Sequence, residues 1–180
     1  RALLRIGITP DLMTIFGTLV VVVSSFTLVS EGHILASIFV LTFALLTDLL
    51  DGTMARISER GASVWGNFLD STLDRISDAA ILIGLTIYLH NTGDSLFVAS
   101  MITIPLSTLV SYTRAKAESL NIECKGGFAE RTERLVILGI AGLLHVFGFS
   151  WAMNAGVWVL LVLTAYTVLQ RMAIVWRATR

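Results

Sequence analysis

Cysteine is nearly missing from this chain: Cys124 is the single one in 180 residues, which excludes an intramolecular disulfide and any multi-thiolate metal site. Proline occurs twice, at Pro10 and Pro105. Charge is also scarce, at 14% of residues, and it is balanced, with 13 basic and 13 acidic side chains. A net charge of zero gives no electrostatic reason to expect nucleic acid as a partner. Repeats, low-complexity segments and a signal-peptide pattern are lacking as well. The start at Arg1 without Met reads as a trimmed chain, which leaves room for a soluble appendage before it.

What the chain has in quantity is apolar sequence, 55% of residues with a mean hydropathy of +0.80. That is too much for one small soluble core, and it points to a polytopic membrane protein. Apolar stretches of about 20 residues, enough to cross a bilayer, recur along the chain. The first runs from Pro10 to about Ser30, with Thr9 as its cap. The second runs from Ile34 to about Arg56, the third from Trp65 to Leu89, and the fourth from Ser95 to Ser119. The fifth ends near Phe149 and the sixth runs from Trp151 to Trp176. The reading is an all-α fold with six transmembrane helices, residues 1–180 forming one membrane domain. Residues 1–9 are a juxtamembrane segment with interfacial amphipathic character. Pro105, midway along the fourth span, predicts a kink and a freed carbonyl. All thirteen Lys and Arg residues then fall on one side, while the opposite connections carry Glu31, Asp94 and the three histidines. The positive-inside rule therefore puts both termini in the cytosol.

Against this background, five aspartates from Asp48 to Asp78 stand out. Asp48 and Asp51 are three residues apart and Asp70 and Asp74 four apart, so each pair shares a helix face. Antiparallel packing about a turn near Gly61 would gather all four acids in a cytosol-facing polar cavity, with Asp48 roughly 12 Å inside its helix end. Such a cluster in a low dielectric repels itself unless cations sit among the carboxylates. Oxygen-only ligands favour magnesium, manganese or calcium over zinc. Salt bridges to Arg56 and Arg75 cannot neutralise five acids, so a purely structural role fits less well. Asp78 continues the spacing and also suits an ordinary ion pair. Gly52 and Ala55 beside Arg56 suit a flat ligand whose phosphate meets a guanidinium. A second basic group, Arg114, Lys116, Arg131 and Arg134, suggests another phosphate site beyond what topology requires. Arg171 either joins that group or snorkels to the surface.

These residues carry a resemblance. Asp48-x-x-Asp51-Gly52-x-x-Ala55-Arg56 followed by Gly66-x-x-x-Asp70-x-x-x-Asp74 resembles the signature of the CDP-alcohol phosphatidyltransferases at eight specified positions. Nine residues separate Arg56 from Gly66, one more than is usual. GITPDLMT, SYTRAKAES and GGFAERTERL resemble the actinobacterial phosphatidylinositol phosphate synthases within that family, with Arg114-Ala115-Lys116 in place of the expected Lys-Ala-Arg.

The resemblance implies a homodimeric bacterial plasma-membrane enzyme that joins CDP-diacylglycerol to inositol 1-phosphate, releasing CMP. It implies two Mg2+ ions per site, with Mn2+ as a substitute, held by Asp48, Asp51, Asp70 and Asp74. Asp74 would also be the general base. Gly52, Ala55 and Arg56 would receive the nucleotide, and Arg114, Lys116, Arg131, Arg134 and Arg171 the acceptor's phosphate. A phosphatidylglycerophosphate synthase is the nearest alternative, since its acceptor is also a phosphate. A metal-ion transporter is the remote one, and it predicts acids near the midplane with access from both sides.

Overall fold

Thr9 and Pro10 set where the first helix begins. The Thr9 hydroxyl accepts from the Leu12 N–H at 3.3 Å, and Pro10, which has no N–H to leave unsatisfied, occupies the first turn. In the computed structural model, which describes residues 9–44, 63–124 and 126–180, this helix, α1, spans Pro10–Ser24 and continues as a wider π turn over Ser25–Val29. Helix α2 covers Ile34–Ala44, α3 Val64–Asn91, α4 Leu96–Ser119, α5 Arg131–Val146 and α6 Trp151–Ala178. Among the described residues the fold is all-helical.

The chain divides into two compact units, Arg1–Ile81 and Leu82–Arg180. In the first, hydroxyls are satisfied within their own helices. Ser25 donates to the Val21 carbonyl at 2.8 Å, Ser30 to that of Phe26 at 2.7 Å, and Ser37 to that of His33 at 2.9 Å. An apolar solvent offers these groups no water, so bonding back to the helix removes the cost of carrying them. Helix α3 starts where the Ser63 hydroxyl accepts from the Gly66 N–H at 2.8 Å, one residue before the expected Trp65. The expected continuation of the second span to Arg56 lies outside the described residues.

In the second unit, α6 packs against both α4 and α5. Leu82, Leu85, Leu89, Ala99, Val110, Val157 and Leu160 are buried in it. Pro105 lies inside α4, as expected. A lipid solvent is as apolar as leucine, so burial alone drives little association, and close approach of small residues has to supply it. Gly156 is the clearest instance, because a methyl there would overlap the Ala141 side chain. Thr86 and Ser100 add a hydroxyl pair at 2.8 Å between α3 and α4. Gly156→Ala is therefore expected to cost about 1–3 kcal/mol of stability, read as a lower unfolding temperature in detergent. Adding Ala141→Gly should restore most of it. The control Gly139→Ala, at a site with no heavy atom within 4 Å, should leave the temperature unchanged or raise it.

Three segments, Pro10–Val29, Leu96–Ser119 and Trp151–Ala178, are long and apolar enough to cross a membrane. The outer face of α6 suits that solvent, with Trp158, Val162, Tyr166, Leu169, Met172 and Trp176 all exposed. Helix α3 is long enough but carries Asp70, Asp74, Arg75 and Asp78. Helix α5, at 16 residues, ends before the expected Phe149, at a turn whose Gly148 adopts a φ of +96° that halts the helix.

Candidate active site

Asp70, Asp74 and Asp78 lie on successive turns of α3, so they line one face. All three are half-buried. The Asp74 side chain is 19% exposed and stands 3.8 Å from the Arg75 guanidinium. That contact leaves Arg75 only loosely engaged, because its Nη1 donates to the Ser71 carbonyl at 2.7 Å and is held back along its own helix. Gly66 begins this face one turn earlier. A side chain there would crowd Ser63 Oγ at 3.0 Å and the Asp11 carboxylate at 3.2 Å, so Gly66 lets the start of α1 approach α3.

Asp48, Asp51, Gly52, Ala55 and Arg56, the remaining expected metal and nucleotide residues, lie outside the described residues. Among the described residues, no three potential ligands converge on one point. Asp70 and Asp74 nevertheless fit a hard divalent cation in chemistry: two half-buried carboxylates one turn apart, with oxygen donors only.

The basic group belongs to the second unit. Arg171, predicted either to bind or to snorkel, does not snorkel: its side chain is 2% exposed. Its Nε donates to the Gly126 carbonyl at 3.0 Å, its Nη1 to the Val110 carbonyl at 2.5 Å and its Nη2 to Glu130 Oε1 at 3.0 Å. The same Glu130 oxygen faces Arg114 Nη1 at 3.5 Å, while Arg114 Nε donates to Glu118 Oε1 at 3.0 Å. Arg114 and Arg171 are thus brought together across one carboxylate. Arg134, 4% exposed, donates to the Ala129 carbonyl at 2.7 Å. It shares the first turns of α5 with Arg131, one helical step away. Lys116 is exposed, and two residues on a helix separate it from Arg114, so the two do not face the same way.

Three participants escape a sequence reading. Glu130 looks like one more polar loop residue. Gly127, at a φ of +126°, approaches α6 so closely that a methyl would overlap Thr167. The Thr167 hydroxyl accepts from the Phe128 N–H at 3.2 Å. The pair Gly126-Gly127 just before a helix was the available signal, since paired glycines mark a backbone conformation other residues resist.

The family model for CDP-alcohol phosphatidyltransferase matches residues 7–176. A phosphatidylinositol phosphate synthase of Mycobacterium tuberculosis is 41% identical over 182 residues, covering 98% of this chain and 83% of that protein. Its crystal structure with CDP-DAG bound superposes with a TM-score of 0.91 at 40% identity, covering 98% of this chain and 90% of the other. A second structure, in complex with manganese and citrate, gives a TM-score of 0.89 at 39% identity, with coverages of 98% and 86%.

Proposed function

The chain belongs to the CDP-alcohol phosphatidyltransferase family and is a membrane transferase of that type, and from this premise we propose that it moves the phosphatidyl group of CDP-diacylglycerol onto inositol 1-phosphate. The support that carries most weight is likeness over nearly the whole chain to a phosphatidylinositol phosphate synthase. The solved structure of that relative with CDP-DAG supports the lipid donor. The arginines grouped at the junction of α4, α5 and α6 support an acceptor that carries a phosphate of its own.

In this reading six helices cross the membrane as one domain with both termini cytosolic, and the enzyme is a homodimer. Asp48, Asp51, Asp70 and Asp74 hold two divalent ions, Mg2+ or Mn2+. When bound, these cations supply neutralisation of the charge that develops on the departing CMP. Gly52 and Ala55 leave room for the nucleotide, and Arg56 grips its phosphate. Arg131 and Arg134, aided by Arg114, Lys116 and Arg171, hold the acceptor's phosphate. Asp74 accepts the proton from the inositol hydroxyl as that oxygen bonds to the phosphorus bearing diacylglycerol. The bond from that phosphorus to the bridging oxygen breaks, and CMP leaves with the electron pair. Placing such a site at the cytosolic boundary lets a water-soluble acceptor meet a lipid donor without either leaving its own solvent.

The direct test supplies purified protein with labelled CDP-diacylglycerol and Mg2+, and offers inositol 1-phosphate, glycerol 3-phosphate, free inositol or serine in parallel. Lipid product from inositol 1-phosphate is expected, at a rate at least about a hundredfold above the other acceptors. Preferential product from glycerol 3-phosphate would overturn the acceptor assignment.

A further inference from the structure

Arg171 is enclosed, and a guanidinium shut away from water needs an anion beside it. Two of its contacts, to the carbonyls of Val110 and Gly126, are with neutral groups and fix its orientation. The third, to Glu130 at 3.0 Å, supplies the opposite charge. Glu130 differs from Arg171 in being 45% exposed at its side chain. One of its carboxylate oxygens bridges a buried arginine and the solvent-facing Arg114, which is the contact pattern a phosphate oxygen makes between two arginines. Glu130 also sits at the N-cap position of α5, immediately before Arg131, and follows the two glycines at positive φ.

We propose that Glu130 is an internal competitor for the acceptor's phosphate: its carboxylate occupies Arg114 and Arg171 until the phosphorylated acceptor displaces it. This rests on the acceptor reading above and adds to it a determinant of specificity. An acceptor with a phosphate dianion replaces the carboxylate with a stronger charge and keeps Arg171 neutralised. A plain alcohol brings nothing to exchange, so Glu130 stays in place and the arginines remain closed to it.

The test measures binding of inorganic phosphate by calorimetry, and the KM for inositol 1-phosphate, on the full chain in detergent. Glu130→Gln keeps the side-chain shape and removes the charge. It should tighten phosphate binding about tenfold and lower the acceptor KM by a similar factor, while the KM for CDP-diacylglycerol moves less than about twofold. Glu130→Asp keeps the charge but shortens the reach, and should tighten phosphate binding by about threefold. It decides the matter if the Gln variant does not fold. Glu118→Gln removes an equal charge from Arg114 without touching Arg171, and its effect should stay under about twofold. Unchanged or weaker phosphate binding in a folded Glu130 variant overturns the proposal, as does an equal gain from Glu118→Gln. Should the wild-type protein bind phosphate in this Glu130-dependent way yet fail to use inositol 1-phosphate, the acceptor assignment falls and the competition stands.

Discussion

Asp74→Asn is expected to lower the turnover of phosphatidyl transfer by about a thousandfold or more while CDP-diacylglycerol still binds within a few-fold of the wild-type affinity. Asparagine has the same outline and keeps one oxygen that can face a cation, but it cannot accept the proton of the attacking hydroxyl. The position suits the role. Asp74 is 19% exposed, which brings it near solvent without surrounding it with water, and the neighbouring Arg75 stands 3.8 Å away and is tied to Ser71. Asp70→Asn provides the contrast. In the proposed assignment Asp70 is a metal ligand without the base role, so this change should weaken lipid binding together with turnover, and added Mn2+ should recover part of both. Asp78→Asn, one turn further along α3, should cost less than about tenfold. Near-normal turnover by Asp74→Asn would remove it as the base, and parallel losses of lipid binding and turnover would reduce it to a ligand.

Much of this was legible because membrane helices follow few rules. Thr9-Pro10 marks the start of α1 by capping chemistry, and the four-residue spacing of Asp70, Asp74 and Asp78 fixes a common face for any helix that contains them. The family was legible because the eight positions of its signature are specified by residue type and spacing together. Partner choice was less legible. Arg171 could be placed on α6 from sequence, but whether it snorkels outward or is enclosed depends on which helices surround it. That is decided by Gly127, which comes close enough to Thr167 to bring the backbone of residues 126–130 against α6. Glu130 was invisible for the same reason: its carboxylate bridges two arginines that are 57 positions apart in the chain, 114 and 171. Gly156 reads as an ordinary helix glycine until Ala141 is found against it.

Arg171→Ala is expected to be among the most destabilising single changes in the second unit, costing about 3–5 kcal/mol. It removes the guanidinium donors from the carbonyls of Gly126 and Val110, the latter keeping the Thr113 hydroxyl at 3.0 Å, and strips Glu130 of its closest cation. Those three oxygens belong to α4, to the connection before α5 and to the start of α5, so a single side chain on α6 ties three segments to itself. Losing it should therefore loosen the positions of Arg131 and Arg134 along with the fold. The expected readout is a large drop in unfolding temperature accompanied by a raised acceptor KM, with CDP-diacylglycerol binding affected less. Arg171→Lys separates charge from geometry. It keeps the cation for Glu130, but an ammonium on a flexible stem cannot reproduce the planar fork that reaches two carbonyls and a carboxylate at once. It should recover less than half of the lost stability. If Arg171→Ala instead unfolds at the wild-type temperature and raises only the acceptor KM, the side chain serves the ligand rather than the scaffold. The three contacts inside the protein would then be a resting arrangement of little energetic weight.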